Sequence, residues 1–319
     1  MTAARVALVL LGGCTSACGR AAPPTASSSS TASSTASSSS PAPAPAPAPA
    51  RPDPRAGLVA ITLDTAPGLS GLARADDGAL WTVAERAATA YQITLDAANP
   101  PRPTVRAVPV DGVPAGRDLE AIAALGGDRF ALGVEAQTTG GQAEVLHAAL
   151  RGGRLLVDQV TTITSAEVGV AITDNRGSEG LCGRGRVVLA AIESVGEDAG
   201  GRWSPLVVIT EGRVTAVHRL RLTSETGKIS GLDCAVDGAA ADVLAIERHF
   251  AVTRLVRVRV DLAAAGGALT PTVAVDLAPT LRGEKNLEGV ATLADGRVVV
   301  VVDNQYKTIT GPSELLVLP

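Results

Sequence analysis

Aromatic side chains are scarce in this sequence of 319 residues, where Phe, Trp and Tyr together make up 2%. Sites that bind sugars or single-stranded nucleic acid usually stack their ligand on aromatic rings, so this scarcity counts against both kinds of site. A strong charge of one sign is also missing, because the formal net charge is only −4. We therefore expect no nucleic-acid partner. The core must be built from Val, Leu, Ile and Ala, which suits many short strands.

Several well-known catalytic and metal-binding motifs are absent. The sequence has no Gly-x-Ser-x-Gly nucleophile elbow and no glycine-rich phosphate loop ending in Lys-Ser/Thr. It also lacks Cys-x-x-Cys and His-Glu-x-x-His. These absences argue against hydrolases of the elbow type, nucleotide-binding loops and the common zinc sites.

The apolar run at the N-terminus is too short to span a bilayer, which needs about 20 residues. It occupies residues 6–11, follows Arg5 and is followed by small residues, as in a secretory signal. Leu11-Gly12-Gly13-Cys14 resembles the bacterial lipobox, whose cysteine is diacylated and becomes the new N-terminus. We therefore predict a signal peptide over residues 1–13 and a protein anchored to the membrane by a lipid on Cys14, outside the cytoplasm. We expect the anchored protein to be a monomer in the cell envelope.

Residues 14–55 have the composition of a disordered tether. Residues 27–40 are all Ser, Thr or Ala, and residues 41–50 alternate Pro and Ala. Too few bulky apolar side chains are present to offset the entropy of ordering this segment. The Pro-Ala part is expected to be extended polyproline II, and the folded domain is predicted over residues 56–319.

A motif recurs five times in the predicted domain, at a spacing of roughly 50–60 residues. Each copy has a small or acidic residue, a Gly or Ala, an aliphatic strand, a turn, and a second strand that ends in a carboxylate. The Gly or Ala positions that align the copies are Gly71, Ala121, Gly180, Gly231 and Gly289.

Two further alternating segments follow each of the first four copies, and four strands per repeat are typical of a β-propeller blade. The segments are residues 91–95 and 104–110, 143–150 and 154–163, 206–210 and 213–222, and 253–260 and 272–277. Only residues 314–318 follow the fifth copy, but residues 58–63 precede the first. We therefore predict an all-β propeller of five four-stranded blades, with the N-terminal strand closing the last blade. Six irregular blades and a β-sandwich remain as alternatives.

Acidic residues gather at two positions of the repeat. The first strand of a blade lines the central channel and the second runs antiparallel to it, so the start of one and the end of the other lie on the same face. First strands begin with Glu120, Glu179 and Glu288, and second strands end with Glu85, Glu135, Glu193, Glu247 and Asp303. Ca²⁺ takes six to eight oxygen ligands, so we interpret Glu120, Glu179 and Glu288 as candidate metal ligands. Alternatively, the acids are architectural and pair with backbone amides or arginines in every blade.

Polar residues that follow the fourth and fifth second strands extend this candidate site. Glu247, His249 and Asp303 are the candidate catalytic residues, and His249 has the chemistry of an acid, a base or a ligand. Arginine and lysine hold phosphate and carboxylate oxygens well. The candidate substrate-binding residues are Arg86, Arg117, Arg248, Lys285 and Asn304.

Two cysteines fall in the first strands of the third and fourth copies, which should be neighbouring blades. In an oxidising compartment Cys182 and Cys234 are placed to form a disulfide. The alternative is a pair of small buried thiols.

Four stretches of the sequence carry a family resemblance. They are Ile229-Ser-Gly-Leu-Asp233, the run Val-Leu-Ala-Ile-Glu-Arg-His-Phe over residues 243–250, and Asn286-Leu-Glu-Gly-Val290 with Val300-Val-Val-Asp-Asn304. Together they resemble the phytase-like domain, or "esterase-like activity of phytase", a group of secreted bacterial propellers. The resemblance extends over residues 56–319 and is strongest in the last third.

This resemblance implies an extracytoplasmic propeller that hydrolyses phosphoric or carboxylic esters, and a Ca²⁺-assisted phosphatase would use the carboxylates for metal and the bases for phosphate. Basic residues are too thinly spread for a polyanion such as phytate. The alternative function is a non-catalytic scaffold of the envelope that binds a ligand or a protein, since fold does not determine function.

Overall fold

The computed structural model describes residues 57–98, 100–136, 140–249, 252–281, 285–304 and 310–318. The predicted signal peptide, Cys14 and the whole of the predicted tether lie outside the described residues and stay predictions. Almost every described element is a strand. Two helices have four residues each, α1 (Ser165–Val168) and α2 (Ala278–Leu281), and no helix in the described part has the length and hydropathy to cross a membrane.

The strands alternate with short turns from one end of the domain to the other. In chain order they are β1 (Val59–Leu63), β2 (Leu69–Arg74), β3 (Leu80–Ala84), β4 (Thr89–Leu95), β5 (Pro103–Asp111), β6 (Arg117–Gly126), β7 (Arg129–Ala136), β8 (Gln142–Arg151), β9 (Arg154–Thr164), β10 (Ser178–Arg184), β11 (Val187–Ile192), β12 (Gly196–Asp198), β13 (Gly201–Thr210), β14 (Arg213–Arg221), β15 (Lys228–Asp237), β16 (Ala240–His249), β17 (Val252–Asp261), β18 (Gly266–Leu269), β19 (Thr272–Asp276), β20 (Asn286–Thr292), β21 (Val298–Asp303) and β22 (Ser313–Val317).

These strands form five four-stranded blades. Blade 1 has the order β2-β3-β4-β5, blade 2 β6-β7-β8-β9, blade 3 β10-β11-β13-β14 and blade 4 β15-β16-β17-β19. Blade 5 is β20-β21-β22-β1, in which the N-terminal strand pairs antiparallel with the last strand of the chain, Val59 opposite Val317. The first strands also lie side by side in a closed ring, β2-β6-β10-β15-β20 and back to β2. The predicted five-bladed propeller is confirmed, and its closure is the predicted one.

Three features join or extend the blades beyond the repeat pattern. The outer strands β5 and β9 pair in parallel and link blades 1 and 2 into one eight-stranded sheet. The short strand β18 pairs in parallel with β14, so it extends blade 3 although it lies within the sequence of blade 4. The short strand β12 pairs with β13. None of these pairings is visible in the period of the repeat.

The core consists of five clusters of buried side chains, one at each interface between neighbouring blades. They are mainly aliphatic, as the composition predicts. An aromatic pair lies between blades 1 and 2, where the rings of Trp81 and Phe130 are 4.7 Å apart. Each blade is therefore held by its two neighbours around the closed ring.

The repeated glycines allow the first strands to approach one another closely around the channel. A Cβ atom on Gly71, whose φ is +62°, would lie 2.6 Å from the backbone N of Ile122 in the next blade. A Cβ atom on Gly289 would lie 2.4 Å from the carbonyl carbon of Gly71. A side chain at either position would therefore push neighbouring blades apart.

A disulfide joins Cys182 of β10 to Cys234 of β15, with the two Cα atoms 5.6 Å apart. It links the first strands of blades 3 and 4 directly, toward the end of the channel where these strands finish. The structure therefore contains the disulfide and not the alternative of two separate thiols.

Candidate metal centre at the acidic mouth

The first strands carry β-bulges at the positions where the sequence places its acids. Pairing of β6 with β7 skips Glu120, pairing of β10 with β11 skips Glu179, and pairing of β20 with β21 skips Glu288. The same bulge in β15 falls on Ser230. A bulge re-aims the side chain of the extra residue, so these acids share one end of the channel, called here the acidic mouth.

Carboxylates from blades 2 and 3 meet at this mouth in two groups. Asp118, Glu120 and Glu135 each place one carboxylate oxygen within 4.8 Å of the others, and Glu135, Glu179 and Glu193 do the same. Because Glu135 belongs to both groups, the five residues form one continuous set, called here the acidic cluster. Two of the three predicted metal ligands, Glu120 and Glu179, lie in it.

Burial and mutual repulsion keep protons on several of these acids. Burial first, and then the charges of the nearby Asp303 and Glu288, raise the pKa of Glu85 to about 8. Burial likewise raises the pKa of Glu135 to about 8, with Glu179 as the next contributor. The pKa of Glu120 is raised well above its usual range, first by burial. Only added positive charge would let all of these acids ionise together near neutral pH.

Glu288, the third predicted ligand, lies at the same mouth on blade 5. The Nδ2 atom of Asn286 donates to Glu288 Oε1 at 2.8 Å and to Asp303 Oδ2 at 2.9 Å, and Arg248 forms an ion pair with Glu288. Burial raises the pKa of Glu288 to about 7 in spite of Arg248. The other oxygen, Oε2, is buried and has no hydrogen-bond partner among the described residues. An orphaned buried carboxylate oxygen costs free energy, so this atom fits a bound cation.

Glu247, a predicted catalytic residue, is fully buried and belongs to neither group of the acidic cluster. Its carboxylate accepts hydrogen bonds from Thr223 N at 2.9 Å, from Thr223 Oγ1 at 2.7 Å and from the Ser224 hydroxyl. These bonds hold the loop over residues 223–227 that leads into blade 4. For this residue the structure favours the architectural alternative.

Two of the five predicted substrate-binding residues form ion pairs within their own blades, and the other three lie at or near the acidic mouth. Arg117 pairs with Glu144 at 2.6 Å, and Lys285 pairs with Glu314, so each stabilises its own blade. Arg248 lies at the mouth, where its Nε also donates to the carbonyl of Leu287 at 2.9 Å.

The other two lie near the acidic mouth. Arg86 is exposed and acts on the charge of Glu85. Asn304 is buried directly after β21, and its Nδ2 atom has no hydrogen-bond partner in the part of the chain that the structure describes.

His249 lines a cavity of about 490 Å³ that adjoins the acidic cluster between blades 3 and 4. Burial lowers the pKa of His249, and the nearby Lys228 and Arg248 lower it further. The cavity also contains Arg176, Arg202 and Lys228, and Lys228 forms an ion pair with Glu193. Sequence reasoning missed Arg176 and Arg202, because one lies in a loop and the other near the start of an outer strand, away from the repeated motif.

Comparison with known proteins points to one family. The family model of phytase-like proteins, described as esterase-like activity of phytase, matches residues 64–306. A search of curated proteins finds no match.

Three solved structures illustrate the similarities in fold. The first is the PQQ-bound form of an aldose sugar dehydrogenase from Streptomyces coelicolor, with a TM-score of 0.44 and 14% identity, covering 83% of this chain and 99% of that one. The second is a thermostable family-43 glycoside hydrolase, with a TM-score of 0.49 and 7% identity, covering 80% of this chain and 91% of that one. The third is the calcium-binding protein regucalcin from Agrobacterium tumefaciens, with a TM-score of 0.42 and 13% identity, covering 82% of this chain and 93% of that one. Similarities at these TM-scores and identities do not indicate a function for this chain.

Proposed function

The chain belongs to the phytase-like family, and on that premise we propose that it hydrolyses an ester at the acidic mouth with the help of a bound Ca²⁺ ion. The observation that carries the proposal is the acidic cluster, in which Glu135 is shared by two groups of carboxylates. The buried Oε2 atom of Glu288, which has no hydrogen-bond partner among the described residues, is a further candidate oxygen ligand at the same mouth.

The chemistry of the donors selects the kind of metal. Every candidate ligand of the cluster is a carboxylate, and Ca²⁺ prefers six to eight oxygen ligands. Zinc sites normally include histidine or cysteine, and neither group contains one. Asp118, Glu120, Glu135, Glu179 and Glu193 would hold the ion. When bound, such an ion polarises an ester oxygen and makes a coordinated water more acidic.

The attacking group is assigned to water, because the serines of the first strands are engaged or buried. The Ser70 hydroxyl donates to the carbonyl of Glu120 at 2.6 Å, and the Ser230 hydroxyl donates to the carbonyl of Leu287 at 2.8 Å. Ser178 is fully buried. Asp303, which Asn286 orients through its hydrogen bond, is the carboxylate to which we assign removal of the proton from water.

Turnover of two simple esters by the full chain tests this proposal. We expect hydrolysis of p-nitrophenyl phosphate or p-nitrophenyl acetate in Ca²⁺, its loss in chelator and its return on adding Ca²⁺. Asp303→Asn should lower kcat about a hundredfold, as is typical when a general base is removed. The matched control is Asp242→Asn, an exposed aspartate paired with Arg259, which should keep full activity.

Ca²⁺ binding without turnover of either ester would instead favour the second candidate function, a non-catalytic module that binds a ligand or a protein. That candidate is supported by the engaged serines and by the paired Glu247, Arg117 and Lys285. Equal activity of Asp303→Asn and wild type would contradict the assignment of the base.

The location is part of the proposal. We place the propeller outside the cytoplasm, attached to the membrane through a lipid on Cys14. The Cys182–Cys234 disulfide supports an oxidising compartment, since such bonds are rare in the cytosol.

Cell fractionation tests the anchor. The Cys14→Ala chain should move from the membrane fraction to the soluble fraction, because acyl chains supply the membrane affinity. The matched control, Cys18→Ala, should stay with the membrane. A Cys14→Ala chain that still sediments with the membrane would contradict the lipid anchor.

A further inference from the structure

The channel has a second mouth, at the end where the first strands of the blades finish, and we call it the far mouth. A cavity of about 610 Å³ lies there, and β2, β6, β10, β15 and β20 all contribute residues to its lining. Leu72, Leu181, Leu232 and the Cys182–Cys234 disulfide supply apolar surface, and charged side chains come from blades 1, 3 and 4. A concave site of this size, largely apolar with a few charged groups, is suited to a small molecule.

An aspartate and an arginine are held side by side in the far mouth by one residue of β20. Thr292, the last residue of that strand, donates from its backbone N at 2.9 Å and from its Oγ1 at 2.6 Å to Asp233 Oδ2. Its carbonyl accepts a hydrogen bond from Arg74 Nε at 2.7 Å. In an antiparallel ladder a residue directs its N–H and its C=O to the same side of the strand. The carboxylate from blade 4 and the guanidinium from blade 1 are therefore neighbours.

Two other aspartates of the far mouth are balanced by ion pairs. Asp76 pairs with Arg184 at 2.9 Å and so joins blade 1 to blade 3. Asp242 pairs with Arg259 at 2.8 Å within blade 4. The charges of these four residues cancel in pairs, so they do not decide the charge of a ligand.

Three charged residues of the cavity have no ion pair in the part of the chain that the structure describes. They are Arg74, Asp233 and the exposed Arg257. Asp233 and Arg257 lie in one cross-strand row of blade 4, with Leu244 between them. Neighbouring strands are about 4.8 Å apart, so the Cα atoms of the two residues are separated by about 10 Å. Two positive charges and one negative charge are left for a ligand to match.

The environment of Asp233 favours a cationic group beside it. Burial raises the pKa of Asp233, although the hydrogen bonds from Thr292 and the charge of Arg74 act in the opposite direction. A positive charge next to the carboxylate would favour its ionised form. The complement of the far mouth is therefore a molecule with one cationic and two anionic groups.

We propose that the far mouth binds an amino dicarboxylate of the size of glutamate. The ammonium binds Asp233, and the α-carboxylate on the same carbon binds the adjacent Arg74. The side-chain carboxylate binds Arg257, two strands away. Arginine and carboxylate form strong charge-assisted hydrogen bonds, frequently in pairs. The far mouth is at the opposite end of the channel from the acidic cluster, so this inference goes beyond the proposed function and does not depend on it.

Calorimetric titrations of the full chain test the site with glutamate and three probes that each lack one charge. Glutarate has no ammonium, glutamine has no side-chain charge, and 4-aminobutyrate has no α-carboxylate. Glutamate should bind at least about tenfold more tightly than each of them, as expected for one lost charge-assisted hydrogen bond. Its affinity should be the same in Ca²⁺ and in chelator.

Three variants connect each charge of the ligand with one residue. Asp233→Asn should weaken glutamate binding about tenfold or more and leave glutarate binding at least as tight, because the asparagine oxygen can still accept from Thr292. Arg257→Gln should weaken glutamate binding and leave glutamine binding unchanged. Arg74→Gln should weaken both of these ligands, which share the α-carboxylate.

Two matched controls change exposed charges at the same end of the blades. Arg186→Gln removes an arginine paired with Glu211, and Asp128→Asn removes an aspartate paired with Arg151. None of these four residues lines the cavity. Both control variants should bind glutamate as wild type does.

The possible outcomes separate this inference from the proposed function. No binding of glutamate, or unchanged binding by both Asp233→Asn and Arg257→Gln, overturns the site. Glutarate or glutamine bound as tightly as glutamate overturns the ligand class. Glutamate binding that requires Ca²⁺ and is lost in Glu135→Gln would place the ligand at the acidic mouth and overturns the far-mouth site. Glutamate binding that needs Asp233 and Arg257, in a chain without Ca²⁺-dependent turnover, supports this inference while the proposed function fails.

Discussion

Glu135→Gln is expected to weaken Ca²⁺ binding by the full chain about a thousandfold and to abolish Ca²⁺-dependent turnover. Glu135 is the carboxylate common to both groups of the acidic cluster, so its loss disrupts both at once. A unit charge about 4 Å away is worth roughly 4 kcal/mol at the effective dielectric of a protein surface, which is about a thousandfold in affinity. Glutamine keeps the volume of the side chain and removes only the charge. Calorimetric titration of Ca²⁺ measures the effect.

Glu211→Gln is the matched control for this experiment. Glu211 is an exposed glutamate in the turn between β13 and β14, and it is not part of the acidic cluster. Its replacement should leave Ca²⁺ affinity unchanged. If Glu135→Gln bound Ca²⁺ as tightly as wild type, the metal ligands would have to be sought elsewhere in the chain.

A second large effect is expected in the stability of the Ca²⁺-free protein, which should fall as the pH rises from about 5 to about 8. The pKa values of Glu85 and Glu135 are about 8 in the folded chain and 4.5 for the ordinary side chain. The folded state therefore holds protons in this range that the unfolded state has released, and raising the pH favours unfolding. After allowance for solvent screening, a loss on the order of 3 kcal/mol corresponds to roughly 6–12 °C in Tm.

Ca²⁺ should reverse this loss, and its effect should grow with pH because protons compete with the cation for the same oxygens. Thermal unfolding at several pH values, with Ca²⁺ and with chelator, measures both effects. Glu85→Gln and Glu135→Gln should each flatten the pH dependence in chelator, whereas Glu211→Gln should not. A Tm that is constant over this pH range would mean that burial and repulsion do not raise the pKa values of these acids in the folded chain.

The folded structure gives the repeated acids different roles. Glu247 holds a loop through three hydrogen bonds, whereas Glu135 and Glu193 lie with an oxygen within 4.8 Å of other carboxylates, although all three end second strands. The architectural interpretation therefore applies to Glu247 in blade 4, whereas metal binding is our proposal for the acids of blades 2 and 3. A feature repeated in every blade need not have one function, because the residues that face it come from other parts of the chain.

The amino-acid sequence by itself determined the five-bladed propeller and its closure by the N-terminal strand. Alternation of apolar and polar residues, turn residues and the spacing of Gly71, Ala121, Gly180, Gly231 and Gly289 are local signals, and each depends only on neighbours along the chain. The same local signals placed acids at one mouth and set Cys182 and Cys234 in adjacent blades.

Only the tertiary structure decided which of those acids meet and which bases face them. The bulges at Glu120, Glu179 and Glu288 depend on pairing between strands, and alternation within one strand does not reveal them. Arg176 and Arg202 lie outside the repeated motif, and only the folding of blade 3 brings them into one cavity with Glu193. The Coulomb energy between two charges depends on their distance in space, and separation along the chain does not specify that distance. The grouping of charges at the site is therefore known only from the folded molecule.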